Sequence, residues 1–184
     1  MDKKFYIADT HFGHENIVKL DNRPFSSVEK MNTAIFGNWN RVVGKNDIVY
    51  ILGDFLWQHS KEYIEFAKSL NGVKRLIKGN HDRTNGADYK GIFQVIKDYE
   101  KVDDNGRKVI LSHYPMFAYD GSFRGRNLHF YGHVHTTNEG KTLERMIEEY
   151  RTEEMPMLMY NVGCMMPWMD YTPRTLDEIL ERTK

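Results

Sequence analysis

The chain has 184 residues, enough for one compact domain with its own core, over residues 1–184, and too few for two domains of ordinary size. Hydrophobic residues make up 40% and charged residues 28%, which excludes the disordered and low-complexity classes. Lys and Arg number 26 against 26 Asp and Glu, so there is no global basic field of the kind that drives non-specific nucleic-acid binding.

In chain order, the first apolar run, Phe5 to Ala8, is too short for a signal-peptide core or a membrane span, and a cytoplasmic protein is expected. A strand is predicted over Lys4 to Ala8. A helix follows from Ser26, where Ser26 and Glu29 read as a capping box and Val28, Met31, Ile35, Trp39 and Val42 recur at helical spacing up to Gly44. A strand over Asp47 to Leu52 leads to a helix over Ser60 to Leu70, closed by Gly72, and to a strand over Val73 to Ile77.

Asn105-Gly106, between Tyr99 to Val102 and Lys108 to Leu111, predicts a β-hairpin, because both turn residues tolerate positive φ. Strands over Leu128 to Tyr131 and Met157 to Val162 flank a charged stretch, Glu139 to Met155, that holds Leu143, Met146, Ile147 and Tyr150 at helical spacing. Thr175 and Glu178 cap a last helix. Short apolar strands alternating with helices predict an α/β fold. The single cysteine, Cys164, excludes an intramolecular disulfide and a thiolate metal site. The methionines clustered between Met155 and Met169, with Trp168, read as adaptable core or a partner-binding surface, core being favoured for most.

The chemistry sits where strands end. Five predicted strands run into polar clusters: Asp9-Thr10-His11, Gly53-Asp54, Gly79-Asn80-His81-Asp82, Ser112-His113 and Gly132-His133-Val134-His135. In an open α/β sheet the carboxyl ends of the strands share one edge, so these clusters converge on one pocket. Imidazoles mixed with carboxylate and amide oxygens suit Mn, Fe, Ni or Zn rather than Ca. If the backbone is extended, Asp9 and His11 point the same way, as do His133 and His135, and each pair grips one ion.

This ordered series, D-x-H, G-D, G-N-H-D, a lone H and G-H-x-H, resembles the calcineurin-like metallophosphoesterases, over roughly residues 4–163. The resemblance implies a sandwich of two mixed β-sheets flanked by helices. It implies two divalent ions, Mn first among the choices. One would be held by Asp9, His11 and His135, the other by Asn80, His113 and His133, with Asp54 bridging. By the same resemblance His81 is the catalytic histidine, steered by Asp82. Ions about 3.5–4 Å apart that share a carboxylate and a hydroxide make a nucleophile for phosphorus near neutral pH. His81 would stabilise phosphorane charge or protonate the leaving alkoxide.

Other residues have two readings. His14 either reaches the substrate phosphate or caps the short helix that follows. Arg124 and Arg126 lie in a glycine-rich loop, Tyr119 to Arg126, that either contacts phosphate or a nucleotide or is merely solvated. His59 and His129 fall outside the series and read as exposed or packed histidines. Phe55-Leu56-Trp57-Gln58 departs from the protein phosphatases of the family, which carry an aspartate and an arginine there, and this disfavours a phosphoprotein substrate. The expected partner is a small phosphate ester or nucleotide, with a diester preferred and no membrane involved. The sequence sets no oligomeric state. A nuclease of the same family is disfavoured by the neutral charge, and a catalytically silent protein-binding scaffold by the full set of ligand types.

Overall fold

A computed structural model describes residues 2–183. Its elements in chain order are β1 (Lys4–Ile7), α1 (Ile17–Leu20), α2 (Val28–Val42), β2 (Ile48–Ile51), α3 (Lys61–Ser69), β3 (Val73–Ile77), α4 (Ala87–Lys90), β4 (Val95–Lys97), β5 (Tyr99–Asp104), β6 (Arg107–Ser112), β7 (Asn127–Tyr131), α5 (Asn138–Tyr150), β8 (Met159–Asn161) and α6 (Leu176–Arg182). They form two four-stranded sheets, ordered β1-β2-β3-β4 and β5-β6-β7-β8. The two-sheet α/β architecture is the one expected. One detail differs: the ladder of the first sheet is wholly parallel rather than mixed, and its antiparallel contact is limited to an isolated bridge between Tyr6 and Arg174.

The parallel sheet follows from continuous apolar runs joined by helical crossovers. Parallel neighbours need a connection of a dozen or more residues, which the α2 and α3 segments supply. Antiparallel pairing enters at the predicted hairpin, where Asn105 and Gly106 both have positive φ, 46° and 75°, and β5 pairs with β6. Between the sheets, Tyr6 and Tyr50 face Val109, Leu111, Leu128 and Phe130, while Phe5, Ile7, Val49, Ile51 and Leu76 lie on the opposite, helix-covered face of the first sheet; all belong to one buried cluster. The Tyr6 ring meets Phe130 edge-on at 4.9 Å.

Helix ends depend on single residues. The N-cap of α2 is Ser27, whose hydroxyl accepts the Lys30 N–H at 3.3 Å. The cap lies one residue later than expected, and the third helical residue is Lys30, so the predicted box with Glu29 does not form. Helix α6 does carry its predicted box: the Glu178 carboxylate accepts the Thr175 N–H at 2.9 Å while Thr175 accepts the Glu178 N–H. Lys74, buried in β3, turns its ammonium onto the Leu70 carbonyl past the end of α3, and burial pushes its pKa down to about 8.

The two sheets meet at one edge. Past β1, the Ala8 N–H donates to Val162 at 2.8 Å and the Ala8 carbonyl accepts from Cys164 at 2.8 Å, while the Asp9 N–H donates to Gly53 at 3.0 Å. The carboxyl ends of β1, β2, β6, β7 and β8 are thereby drawn together, with the end of β3 beside them. No helix among the described residues is long and apolar enough to cross a membrane.

Candidate metal centre

The backbone at this edge is left-handed rather than extended. Asp9, His11, Asp54, His133 and His135 all have positive φ, between 48° and 71°. Non-glycine residues adopt this region at a cost, and such strain persists where surrounding structure enforces it, most often at functional sites. The premise that Asp9-x-His11 and His133-x-His135 are extended therefore does not hold. Asp9 and His11 still meet, but His133 and His135 part company and join different groups.

Two clusters result. Asp9, His11 and His135 bring one donor atom each within 4.8 Å of one another, and so do Asp54, His113 and His133. The Nε2 atoms of His11 and His135 face each other at 3.3 Å, and Nε2 of His135 is 3.7 Å from Asp9 Oδ1. Asp54 Oδ2 stands 3.6 Å from His11 Nε2 and 3.6 Å from His113 Nε2, between the clusters. Asn80 joins the second cluster, with its Oδ1 3.0 Å from His113 Nε2.

This donor set fits divalent cations. Asp9 and Asp54 are buried, and among the described residues the carboxylates have only histidines as possible cationic partners. Carboxylates removed from water need positive charge nearby. Burial, more than any neighbour, raises the Asp9 pKa, and burial with the adjacent His135 holds His11 well below the usual imidazole range. His133 is lowered by burial as well. Neutral rings offer lone pairs. The Nδ1 of His113 is 2.8 Å from the Leu52 carbonyl, an acceptor that keeps the ring proton on Nδ1 and leaves the Nε2 lone pair toward Asp54.

Glycines admit the carboxylates. A Cβ on Gly132 would come 2.5 Å from Asp9 Oδ2, and the His133 N–H that follows donates to the Asp9 carboxylate at 3.1 Å. Gly53, at φ +85°, lies against Gly79 and the His113 ring, so the loops carrying Asp54 and Asn80 touch through two residues without side chains.

Asp82, expected to steer His81, does something else. Its carboxylate accepts the N–H groups of Asp54 at 2.9 Å, Gly79 at 2.8 Å and Phe55 at 3.1 Å, and the Tyr89 hydroxyl at 2.6 Å. It ties the 53–55 loop to the 79–82 loop and has no capacity left for an imidazole. His81 donates its backbone N–H to Asp54 Oδ1 at 2.9 Å, which leaves Oδ2 to face both clusters. The exposed His81 ring lies 5.7 Å from that of His11 and 5.0 Å from the Trp57 indole.

His14 does not cap α1, whose N-cap is Asn16 without a side-chain bond; its ring stacks on Trp57 at 3.8 Å. Arg124 and Arg126 precede β7, whereas His133 follows it. A five-residue strand separates them by roughly 15 Å, and the Arg124 N–H binds the Glu154 carbonyl before β8. Both arginines therefore lie at the edge opposite the donors, and not beside a phosphate at the donor cluster as expected. His129 is a packed histidine, with Nδ1 on the Ile110 carbonyl and Nε2 accepting from Met116.

Three residues the sequence reading passed over surround the first cluster. Asp21 Oδ2 lies 3.2 Å from His135 Nδ1 and 3.0 Å from Arg23 Nε, while Oδ1 accepts the Thr136 hydroxyl at 3.1 Å. The buried Arg23 guanidinium then donates to the carbonyls of Asp9 at 2.8 Å and Thr10 at 3.2 Å. Burial would raise the Asp21 carboxyl, but His135 and Arg23 outweigh it and hold it low. For His135, burial is outweighed by Asp21 and Asp9, and its pKa is raised. The one signal in the sequence was an acid and a base two residues apart, Asp21-Asn22-Arg23, a spacing too common to single out.

Known proteins match this chain along most of its length. A family model described as a calcineurin-like phosphoesterase superfamily domain matches residues 4–177. An uncharacterized protein of Methanocaldococcus jannaschii is 37% identical over 183 residues, covering 98% of this chain and 91% of that protein. The Gene 66 protein of Mycobacterium phage L5 is 35% identical over 85 residues, 45% of this chain and 41% of its own. Among solved structures, a protein of unknown function from Aquifex aeolicus superposes with a TM-score of 0.74 at 31% identity, over 98% of this chain and 99% of that one.

Proposed function

The chain belongs to the calcineurin-like phosphoesterase superfamily, and from that premise we propose that it hydrolyses a small phosphate ester, a diester in preference to a monoester, at a centre holding two divalent ions. Asp9, His11 and His135 would hold one ion and Asn80, His113 and His133 the other, with Asp54 placed to serve both. The observation that carries this reading is the single oxygen of Asp54 at 3.6 Å from a histidine of each cluster. The mixture of nitrogen and oxygen donors suits Mn, Fe, Ni or Zn, and the family resemblance puts Mn first. When bound, the ions supply Lewis acidity toward phosphoryl oxygens and lower the pKa of water to near neutrality.

The chain's own residues do the rest. Asp82 fixes the two loops, so Asp54 and Asn80 are held in place before substrate arrives and little reorganisation accompanies the reaction. The His81 ring makes no hydrogen bond among the described residues and stands beside the clusters, where it donates a proton to a phosphoryl or leaving oxygen. The clustered donors and the hydrogen bonds of Asp82 give no support to a silent scaffold.

The test is hydrolysis of bis-p-nitrophenyl phosphate beside p-nitrophenyl phosphate by protein stripped of metal and reloaded with Mn²⁺. Turnover that disappears on stripping and returns on reloading is expected, faster on the diester. Equal turnover by stripped and reloaded protein would defeat the reading.

A further inference from the structure

Among the described residues, seven large hydrophobic side chains are left exposed: Leu20, Trp57, Tyr99, Tyr114, Phe123, Met146 and Tyr150. Two of them, both aromatic, lie against the donor histidines, one on each cluster. Trp57, 39% exposed, is 6.4 Å from the His11 ring and 5.0 Å from that of His81. Tyr114, 49% exposed, is 4.5 Å from the His133 ring and 5.1 Å from that of His113.

Trp57 is also held still. Its backbone N–H donates to the Phe12 carbonyl at 2.9 Å, Phe12 bridges Leu56, and the His14 ring lies nearly parallel to the indole, 19° off at 3.8 Å. An indole kept half in water at this position gains little for the fold, since burying it would contribute more. A rigid exposed aromatic loses little entropy on binding and offers a face to any flat ring.

We propose that Trp57 and Tyr114 are specificity-determining residues that flank the scissile phosphate and stack on planar substituents of the ester, so that the substrate is a phosphodiester bearing a nucleobase or aryl group rather than an alkyl one. The inference rests on the phosphoesterase reading for the location of the phosphate. Each wall serves one side of a diester, and stacking tolerates different bases because every base has a π-face. The neutral chain charge favours a short substrate over a long polyanion.

The test holds the leaving group constant. Mn²⁺-loaded wild-type protein is assayed on thymidine 5′-(p-nitrophenyl phosphate) and on methyl p-nitrophenyl phosphate, and the ratio of kcat/KM values is compared with that of Trp57→Ala, Trp57→Phe and Tyr114→Ala. The wild type is expected to prefer the thymidine ester. That preference should fall about 5- to 150-fold in Trp57→Ala, the range for losing one stacking aromatic, and by less in Trp57→Phe. A wild-type ratio near one, or a ratio that Trp57→Ala leaves unchanged, overturns the proposal. Should no ester turn over, calorimetric titration with thymidine 5′-monophosphate and with methyl phosphate decides the matter. Tighter binding of the nucleotide, lost in Trp57→Ala, sustains the stacking role while the hydrolytic reading fails; equal binding of the two overturns it. Trp57→Leu replaces Trp57→Ala if the latter does not fold.

Discussion

At the scale of single residues, side chains that touch no substrate set the behaviour of those that do. Asp21 braces His135 through Nδ1 and is itself braced by Arg23 and Thr136. Carboxylates behind a ligating histidine fix its tautomer and raise its basicity. Asp21→Ala is therefore expected to weaken Mn²⁺ binding at the first cluster about 10- to 100-fold, with Asp21→Asn intermediate because an amide oxygen still accepts from Nδ1. Calorimetric titration of the metal-free variants checks this, and unchanged affinity in Asp21→Ala would show the contact to be only structural. His81→Ala should differ in kind, lowering kcat about 10²- to 10⁴-fold with metal content equal to wild type. Loss of metal from that variant, measured by elemental analysis, would mean that His81 is a ligand.

At the scale of elements, the site depends on how strand ends and loops are pinned. The carbonyl of Ile110 and the N–H of Met116 hold His129 neutral inside the second sheet, and burial pushes its pKa down to about 4. The folded-state value lies below the ordinary 6.5, so the unfolded chain binds more protons between the two. The stabilisation is complete above pH 6.5 and is lost as pH falls toward 4, by roughly 3 kcal/mol in all. His129→Gln should flatten the stability-versus-pH curve in that window, measured by urea denaturation; curves of the same slope would refute a buried neutral His129. Helix ends followed simple chemistry. Thr175 and Glu178 were readable as a cap because the box is local, whereas two adjacent serines, Ser26 and Ser27, left the start of α2 ambiguous by one position. Strand β4 escaped notice because Val95 to Lys97 is only three residues long and is fixed by pairing with β3, not by its own pattern.

At the scale of the whole molecule, the convergence of five strand ends was legible because each apolar run stops at a metal-donor residue, and parallel strands put such stops on one edge. What was not legible depended on contacts between distant parts of the chain. Asp21 meets Thr136 across 115 positions, and no local pattern announces that. Asp82 was misread for the opposite reason: it follows His81 directly, but its carboxylate turns back onto the N–H groups of Asp54, Phe55 and Gly79. The extended-strand reading of His133 and His135 failed because left-handed backbone at both residues sends the rings to different clusters. Arg124 and Arg126 looked suited to phosphate by composition alone, and the direction of β7 removes them from the site.

The same scale governs metal linkage. An ion that binds only the folded chain stabilises it by mass action, about 2.7 kcal/mol at a hundredfold excess over Kd. Chelation should then lower Tm by roughly 5–10 °C for a chain of this size, and reloading should restore it. A Tm indifferent to chelator would contradict a folded-state metal centre.

Calorimetric titration of Mn²⁺ into metal-free protein, wild type beside Asp54→Asn, tests most directly for one centre of two ions joined through Asp54. Two ions per chain in the wild type are predicted, with both weakened in Asp54→Asn because each cluster loses the oxygen it shares. One ion per chain in the wild type, or a variant that still binds two with wild-type affinity, would contradict a two-ion centre shared through Asp54.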